Sequence, residues 1–261
     1  MKCIASRDNP TFKHLRALAD DGRYRRDQQA TILDGPHLVQ GALAYAIRVR
    51  HVAVTKHALA NREIAAIVEA AAQTSCEILE LPASLLRSIS PVESPSGIIA
   101  EIDIPEPSSA ISDREDLLVL AGVQDAGNLG TLLRTAAAAG CRHVWLSLDC
   151  AQAWSPKVLR AGMGAHFVIQ IEEQADLRAM LDEYSGQVIA TALSTNAMDI
   201  YQTDLRSPTA WLFGAEGQGL SAEMMALADR LVRIPMPGGM ESLNVAASAA
   251  VCLFEQLRQR R

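Results

Sequence analysis

Hydrophobic and polar positions follow two rhythms along this chain, and the change comes near residue 105. Before it, short apolar runs alternate with alanine-rich amphipathic stretches. The pattern predicts strands over 30–34, 50–55, 77–81 and 97–103, with helices between them. That is a small α/β unit. The breaker-rich segment Pro105-Glu106-Pro107-Ser108-Ser109 is the candidate linker, giving expected domains of 1–105 and 112–261. Beyond it, continuous apolar runs recur at 117–121, 143–148, 167–171, 188–193, 210–213 and 231–234, mostly separated by helical stretches. Apolar strands alternating with helices predict a parallel sheet covered on both faces. Such a sheet binds ligands outside the carboxyl ends of its strands.

Three loops following those strands carry unusual residues. The first runs Gln124-Asp125-Ala126-Gly127-Asn128-Leu129-Gly130 and continues through Arg134. Asn128 is expected to cap the next helix, and Arg134 to fall early in it and face the crevice. A surface ion-pairing role is the usual fate of a lone arginine there, and this loop taken alone is weak evidence. The second loop is Gly214-Ala215-Glu216-Gly217-Gln218-Gly219-Leu220-Ser221, with Ser221 as the expected cap of the following helix. It is neither a Gly-x-Gly-x-x-Gly fingerprint nor a Walker loop. Glu216 would repel a pyrophosphate, whereas a phosphate-free, cationic cofactor such as adenosylmethionine would tolerate it. A plain strand-to-helix turn that needs glycine stays open for this loop taken alone. The third loop, Ile234-Pro235-Met236-Pro237-Gly238-Gly239-Met240-Glu241-Ser242-Leu243-Asn244, is made irregular by its prolines and glycines. Ser242 is the expected helix cap there, and Asn244 the first-turn residue whose amide meets a ligand.

Composition narrows the setting. The 261 residues suffice for one large or two modest domains, and 49% hydrophobic with 21% charged positions is ordinary globular usage. No apolar stretch approaches the roughly 20 residues that span a bilayer, and residues 1–20 hold no apolar signal core. The five cysteines are scattered, which points to reduced thiols in a cytoplasmic protein. The six histidines have no metal-ligand spacing, so no metal is expected. The net charge of −6 hides an asymmetry. Residues 1–62 hold eleven Lys and Arg against five Asp, a surplus of +6, and the remainder carries −12. A basic front end suits a docked polyanion; a merely solvated face at Arg23, Arg25 and Arg26 is the competing account.

Taken together, the three loops resemble the three motifs of the SpoU (TrmH) family of RNA ribose methyltransferases, within the SPOUT superfamily. The matching residues are Asn128-Leu129-Gly130 with Arg134-Thr135-Ala136, then Phe213 to Leu220, then Ile234-Pro235-Met236 with Glu241-Ser242-Leu243-Asn244-Val245. The segment Ser155 to Ala165 is also similar, and the resemblance covers about residues 115–257. Ala126 departs from it, since the family often has proline there. Residues 1–105 are less specifically similar to a substrate-binding α/β/α domain related to a ribosomal protein, through Ser6-Arg7-Asp8-Asn9-Pro10 and Leu33 to Val39.

The resemblance implies an α/β protein: a ribosomal-protein-like α/β/α domain followed by a parallel-sheet SPOUT domain with a trefoil knot. It implies S-adenosylmethionine as cofactor and RNA as substrate, ribosomal in preference to transfer RNA. It places the catalytic role on Arg134, Asn128, Glu216, Ser242 and Asn244. Cofactor contacts fall to Leu193, Gly214, Glu216, Gly217, Ile234, Met236, Ser242, Leu243 and Asn244. A guanidinium holds its proton through the ordinary pH range, so Arg134 is read as a charge that lowers the ribose hydroxyl's pKa rather than as a free base. The resemblance further implies a homodimer centred on the catalytic domain and the last helix, which brings Arg134 toward the partner's cofactor. Three alternatives compete: a nicotinamide dehydrogenase, which lacks the fingerprint; an RNA-binding module without catalysis, which should lack Arg134, Asn128 or Asn244; and methylation of a base atom.

Overall fold

The computed structural model describes residues 1–106, 115–194 and 196–261, so Pro107, Ser108 and Ser109 of the candidate linker lie outside the described residues. Two compact units emerge: Met1–Glu106 with Trp154–Phe167, and the described parts of 107–153 and 168–261.

The first unit is built on strands β1 (Lys2–Cys3), β2 (Ala30–Asp34), β3 (Val49–Val54), β4 (Glu77–Glu80) and β5 (Ile98–Asp103), in the order β1-β4-β3-β5-β2. β5 runs antiparallel to both its neighbours, and the other pairs are parallel. Its helices are α1 (Pro10–Asp20), α2 (Gly22–Gln28), α3 (Pro36–Ala44), α4 (Arg62–Ala72) and α5 (Ala83–Arg87). Asn9 starts α1 by accepting from the N–H groups of Thr11 and Phe12, ahead of Pro10, whose missing N–H costs nothing there. Strand alternation then sorts the core. Ala30 and Ile32 of β2 join Ala53, Ile99 and the α1 residues Phe12, Leu15 and Leu18. Thr31 points the other way, and its Oγ1 donates to the carbonyl of Trp154 at 2.6 Å. There the helix spanning Pro156–Gly162 lies against β2, at the end of the sheet order, where an unpaired strand edge would otherwise be exposed.

The second unit holds β6 (Leu117–Ala121), β7 (His143–Leu146), β8 (Gln170–Glu172), β9 (Gln187–Thr191), β10 (Met198–Asp199), β11 (Thr209–Gly214) and β12 (Arg230–Arg233). Their order is β10-β12-β9-β11-β6-β7-β8, and every pair is parallel, as the continuous apolar runs predict. The chain's remaining helices are α6 (Ala126–Ala139), α7 (Pro156–Gly162, in the first unit), α8 (Leu177–Asp182), α9 (Ala222–Met225) and α10 (Val245–Gln259). Ala210 and Leu212 of β11 face a cluster with Leu177 and Leu181 of α8. Trp211, fully buried, faces the opposite side and donates its indole N–H to Gln256 of α10 at 2.8 Å. Helix α10 in turn packs along α6.

Three elements differ from the hydrophobic pattern for a local reason. β1 and β10 are two-residue edge strands, too short to leave a periodicity. The run at 167–171 begins in a 3₁₀ turn at Ala165–Phe167, which confines the strand to Gln170–Glu172. Among the described residues, no helix is long and apolar enough to cross a membrane.

The most deeply buried charge of the first unit is Glu101. Glu101 of β5 is hydrogen-bonded to His14 at 2.9 Å and His51 at 2.6 Å, and Arg50 lies 3.3 Å away. Burial works to raise its carboxyl, but the bonds from His51 and His14 outweigh this and hold it below the usual value. A carboxylate depressed on folding adds stability above its unfolded pKa and loses it as pH falls through the folded one. The stability that Glu101 contributes should therefore be lost only below the ordinary carboxylate range. Glu101→Gln should flatten that acid limb and lower neutral-pH stability by about 3 kcal/mol by leaving the histidines and Arg50 short of a partner. Parallel melting curves for variant and wild type across pH would refute it.

Candidate active site

Because β6, β9, β11 and β12 are parallel neighbours, the loops that follow them leave the same end of the sheet. After β6 the chain enters α6, and the cap is Asp125: its Oδ1 accepts the N–H of Asn128 at 2.7 Å. Asn128 therefore does not cap the helix but sits within its first turn. With its backbone N–H taken, its side-chain amide is free to reach sideways. It does so in two directions. Nδ2 donates to Glu216 in the loop after β11 at 3.0 Å, and Oδ1 accepts from Nδ2 of Asn244 at 2.9 Å.

Asn244 is itself the cap of α10, accepting from the N–H groups of Ala246 at 2.9 Å and Ala247 at 3.4 Å. Capping was expected of Ser242, which instead lies exposed in the preceding loop. The direction of every bond in this chain is forced. A carboxylate only accepts, so Asn128 must present its NH₂ to Glu216 and its oxygen to Asn244, whose own oxygen then faces helix α10. Glu216 also accepts from the backbone N–H groups of Gln124 at 3.2 Å and Asp125 at 3.3 Å, at the positive end of α6. Partial burial works to raise its carboxyl. The bonds from Asn128 and these N–H groups outweigh that and hold it below the ordinary value.

The glycines of the second loop make a backbone surface. A Cβ at Gly214 would collide with the backbone of Gly219 and Leu220, because the loop folds back with Gly219 N–H donating to Ala215 at 2.9 Å. Gly217 and Gly219 have φ of +85° and +71°, and nothing lies within 4 Å of where their Cβ atoms would be. Apolar groups flank the same end of the sheet: exposed Leu193 and Leu243, and half-buried Ile234 and Met236. Neither 214–221 nor 234–244 contains a lysine or arginine. Bare amides, apolar walls and no cation for a phosphate fit an adenosyl cofactor with a cationic centre better than a dinucleotide. Ser221 does cap α9, accepting from Met224 at 3.2 Å.

Arg134 stands apart. It is the ninth residue of α6 rather than an early one, exposed, with no hydrogen bond or ion pair among the described residues. Six positions from Asn128, it lies about 120° around the helix and about 9 Å along it. It shares the exposed stripe of Gly127, Thr131 and Ala138. The carboxylate–amide relay thus joins Asn128, Glu216 and Asn244, and Arg134 is outside it. Sequence reasoning passed over Asp125, although Asp is among the strongest N-cap residues and stands directly before the helix.

The chain matches the SpoU rRNA Methylase family model over residues 116–254 and an MRM3-like substrate binding domain over 9–100. It is 33% identical over 266 residues to an uncharacterised tRNA/rRNA methyltransferase of Synechocystis, covering 98% of this chain and 94% of that one. It is 31% identical to the 23S rRNA (guanosine(2553)-2′-O)-methyltransferase RlmP of Bacillus subtilis, covering 97% of this chain and 98% of that one. It superposes with a TM-score of 0.82 on an AdoMet-bound rRNA methyltransferase from Sinorhizobium meliloti, at 27% identity over 98% of this chain and 97% of the other.

If the relay is a single unit, its members will be energetically coupled. Asn128→Ala and Glu216→Ala should each cost about 1 kcal/mol, and the double variant distinctly less than their sum. A double-mutant cycle by denaturant unfolding measures the coupling, and strict additivity would refute the relay.

Proposed function

Since this chain belongs to the SpoU rRNA methylase family, we propose that it transfers a methyl group from S-adenosylmethionine to a ribose 2′-hydroxyl of ribosomal RNA. The observation that carries this reading is the Glu216–Asn128–Asn244 relay, which fixes a phosphate-free glycine cradle between three strand ends. When bound, the cofactor supplies an electrophilic methyl group on a sulfonium. The cradle of Gly214 and Gly217, with Leu193, Ile234, Met236 and Leu243, holds and orients it, and Ser242 and Asn244 border the ribose. The relay's task is rigidity, so that nucleophile and acceptor meet in line. Arg134 contributes a fixed positive charge that favours the alkoxide form of the 2′-hydroxyl and grips a neighbouring phosphate.

Within one chain Arg134 is turned away from the relay, so a second copy completes the site. Support for this comes from α10, where Ala247 and Phe254 are exposed, with Val251 half-buried between them, one helical turn apart. A homodimer pairing along that stripe covers it and lets Arg134 of one chain serve the cradle of the other. The domain assignment follows: 1–105 recognises RNA through the +6 surplus of residues 1–62, 112–261 holds the knotted catalytic domain, and the enzyme works in the cytoplasm on ribosomal RNA. Transfer RNA is the second substrate class, in keeping with the tRNA/rRNA methyltransferase of Synechocystis.

Mapping 2′-O-methyl groups in total RNA with and without this gene tests the function. One ribosomal position should lose its methyl group; loss confined to transfer RNA would reassign the substrate, and no loss anywhere would reject the reading. Arg134→Ala should lower kcat by at least about 100-fold, while an exposed side chain shifts stability by under about 0.5 kcal/mol. Mixing Arg134→Ala chains with Asn244→Ala chains should recover part of the activity, because one composite site is whole. A verified dimer without recovery would refute the shared site.

A further inference from the structure

The first unit contains a cavity of about 640 Å³ that the methyl-transfer chemistry does not use. Its floor is Asp34, the last residue of β2 and 4% exposed. Ser90 donates to Asp34 Oδ2, but Oδ1 has no hydrogen-bond partner. A buried carboxylate oxygen left without a donor is costly and ordinarily marks a missing partner. Lys157 and Arg160 of α7, which line the same cavity, are three residues apart and so share a face. Neither makes a hydrogen bond or ion pair among the described residues, though Asp34 feels the charge of Arg160.

Two backbone features open onto the same space. Helix α3 begins at Gly35 (φ +100°) with no side-chain cap, and Pro36 brings no N–H, so the amides of His37 and Leu38 face outward at a positive helix end. Met163 caps α7 in the left-handed region at φ +49°, where a non-glycine residue is strained, and holds a 43% exposed thioether at the rim.

We propose that this cavity holds a single extruded nucleotide of the RNA substrate, with its phosphate on Lys157, Arg160 and the amino end of α3, and its base on Asp34 and Met163. The inference rests on the reading of the chain as an RNA-modifying enzyme. It adds a second contact point remote in sequence from the methylation loops. A purely anionic ligand leaves Asp34 unexplained, and a purely cationic one leaves Lys157 and Arg160 unexplained. A nucleotide satisfies both ends: phosphate oxygens accept from the cations and amides, and a base N–H donates to Oδ1. The volume falls within the range of small-ligand sites and excludes a duplex. Unpaired bases are also what proteins read specifically in RNA.

Labelled pentaribonucleotides UUAUU, UUCUU, UUGUU and UUUUU, titrated into the full-length protein and followed by anisotropy, test the proposal. Phosphate contacts position and base contacts specify, so two kinds of variant should fail differently. Lys157→Ala with Arg160→Ala should weaken all four RNAs by about tenfold and reduce the slope of log K against log salt by about 1.4. Asp34→Asn should reorder the four by central base while keeping the salt slope and without lowering the melting temperature, since it removes an uncompensated buried charge. A merely structural Asp34 would lower the melting temperature and not change the order. Unchanged affinity and slope in the double variant, an unchanged order in Asp34→Asn, or no binding by wild type would overturn the proposal. Adenosylmethionine titrations separate it from the parent reading: every form should bind the cofactor equally, and failure in wild type would count against the methyltransferase instead.

Discussion

The loop end of the parallel sheet depends on one directional chain of hydrogen bonds. A carboxylate, Glu216, fixes the amide of Asn128; that amide fixes Asn244; and Asn244 fixes the start of α10. Each bond is partly exposed and contributes only about 1 kcal/mol. Their value lies in order rather than energy. Glycine-rich loops lose more conformational freedom on folding than any other kind, and the loop at 214–219 has little side chain with which to hold itself. Glu216 anchors it to the amino end of α6, while Asn244 anchors the loop after β12 to the same point. One polar network thereby gives three flexible segments a common geometry.

This arrangement explains why a charge sits where a phosphate-binding loop would have none. The negative end of the relay lies at the positive end of α6, so it neutralises a helix terminus that other folds leave open for an anion. The site has used that terminus on its own carboxylate. What the cradle still offers is backbone and hydrocarbon, and the chemistry it admits follows from that subtraction.

The parallel sheet, the strand positions and the three loops were legible in the sequence because continuous apolar runs and clustered glycines are local signals. Strands 30–34 and 117–121 appear with the expected bounds. What the sequence hid is relational. Ser242 and Asn244 both have side chains able to cap a helix, and only the bond to Asn128 selects Asn244. Asn128 and Asp125 present the same ambiguity three residues apart, resolved by Glu216 ninety positions downstream. Helix α7 is a further case: Trp154–Phe167 groups with the first unit, although it lies beyond the candidate linker. No periodicity announces that Thr31 will bond to Trp154 across more than a hundred residues.

Arg134 gives the last step. Helix periodicity alone could not aim it, since a position early in a helix and one two turns later look alike in an alanine-rich stretch. In the folded chain it lies on an exposed stripe, about a third of a turn from Asn128, without a partner among the described residues. On the proposed mechanism Arg134 must meet a ribose held at the relay, and it cannot do so by rotating around its own helix. Moving it there would drag Leu132, Leu133 and Ala136 out of the core that α6 shares with α10. The rigidity that makes the cradle precise is the same rigidity that keeps Arg134 out of it. A fold that cannot bend its charge inward can receive one from outside. On the proposed pairing, the partly uncovered apolar stripe of α10 is the surface on which a second chain would deliver it.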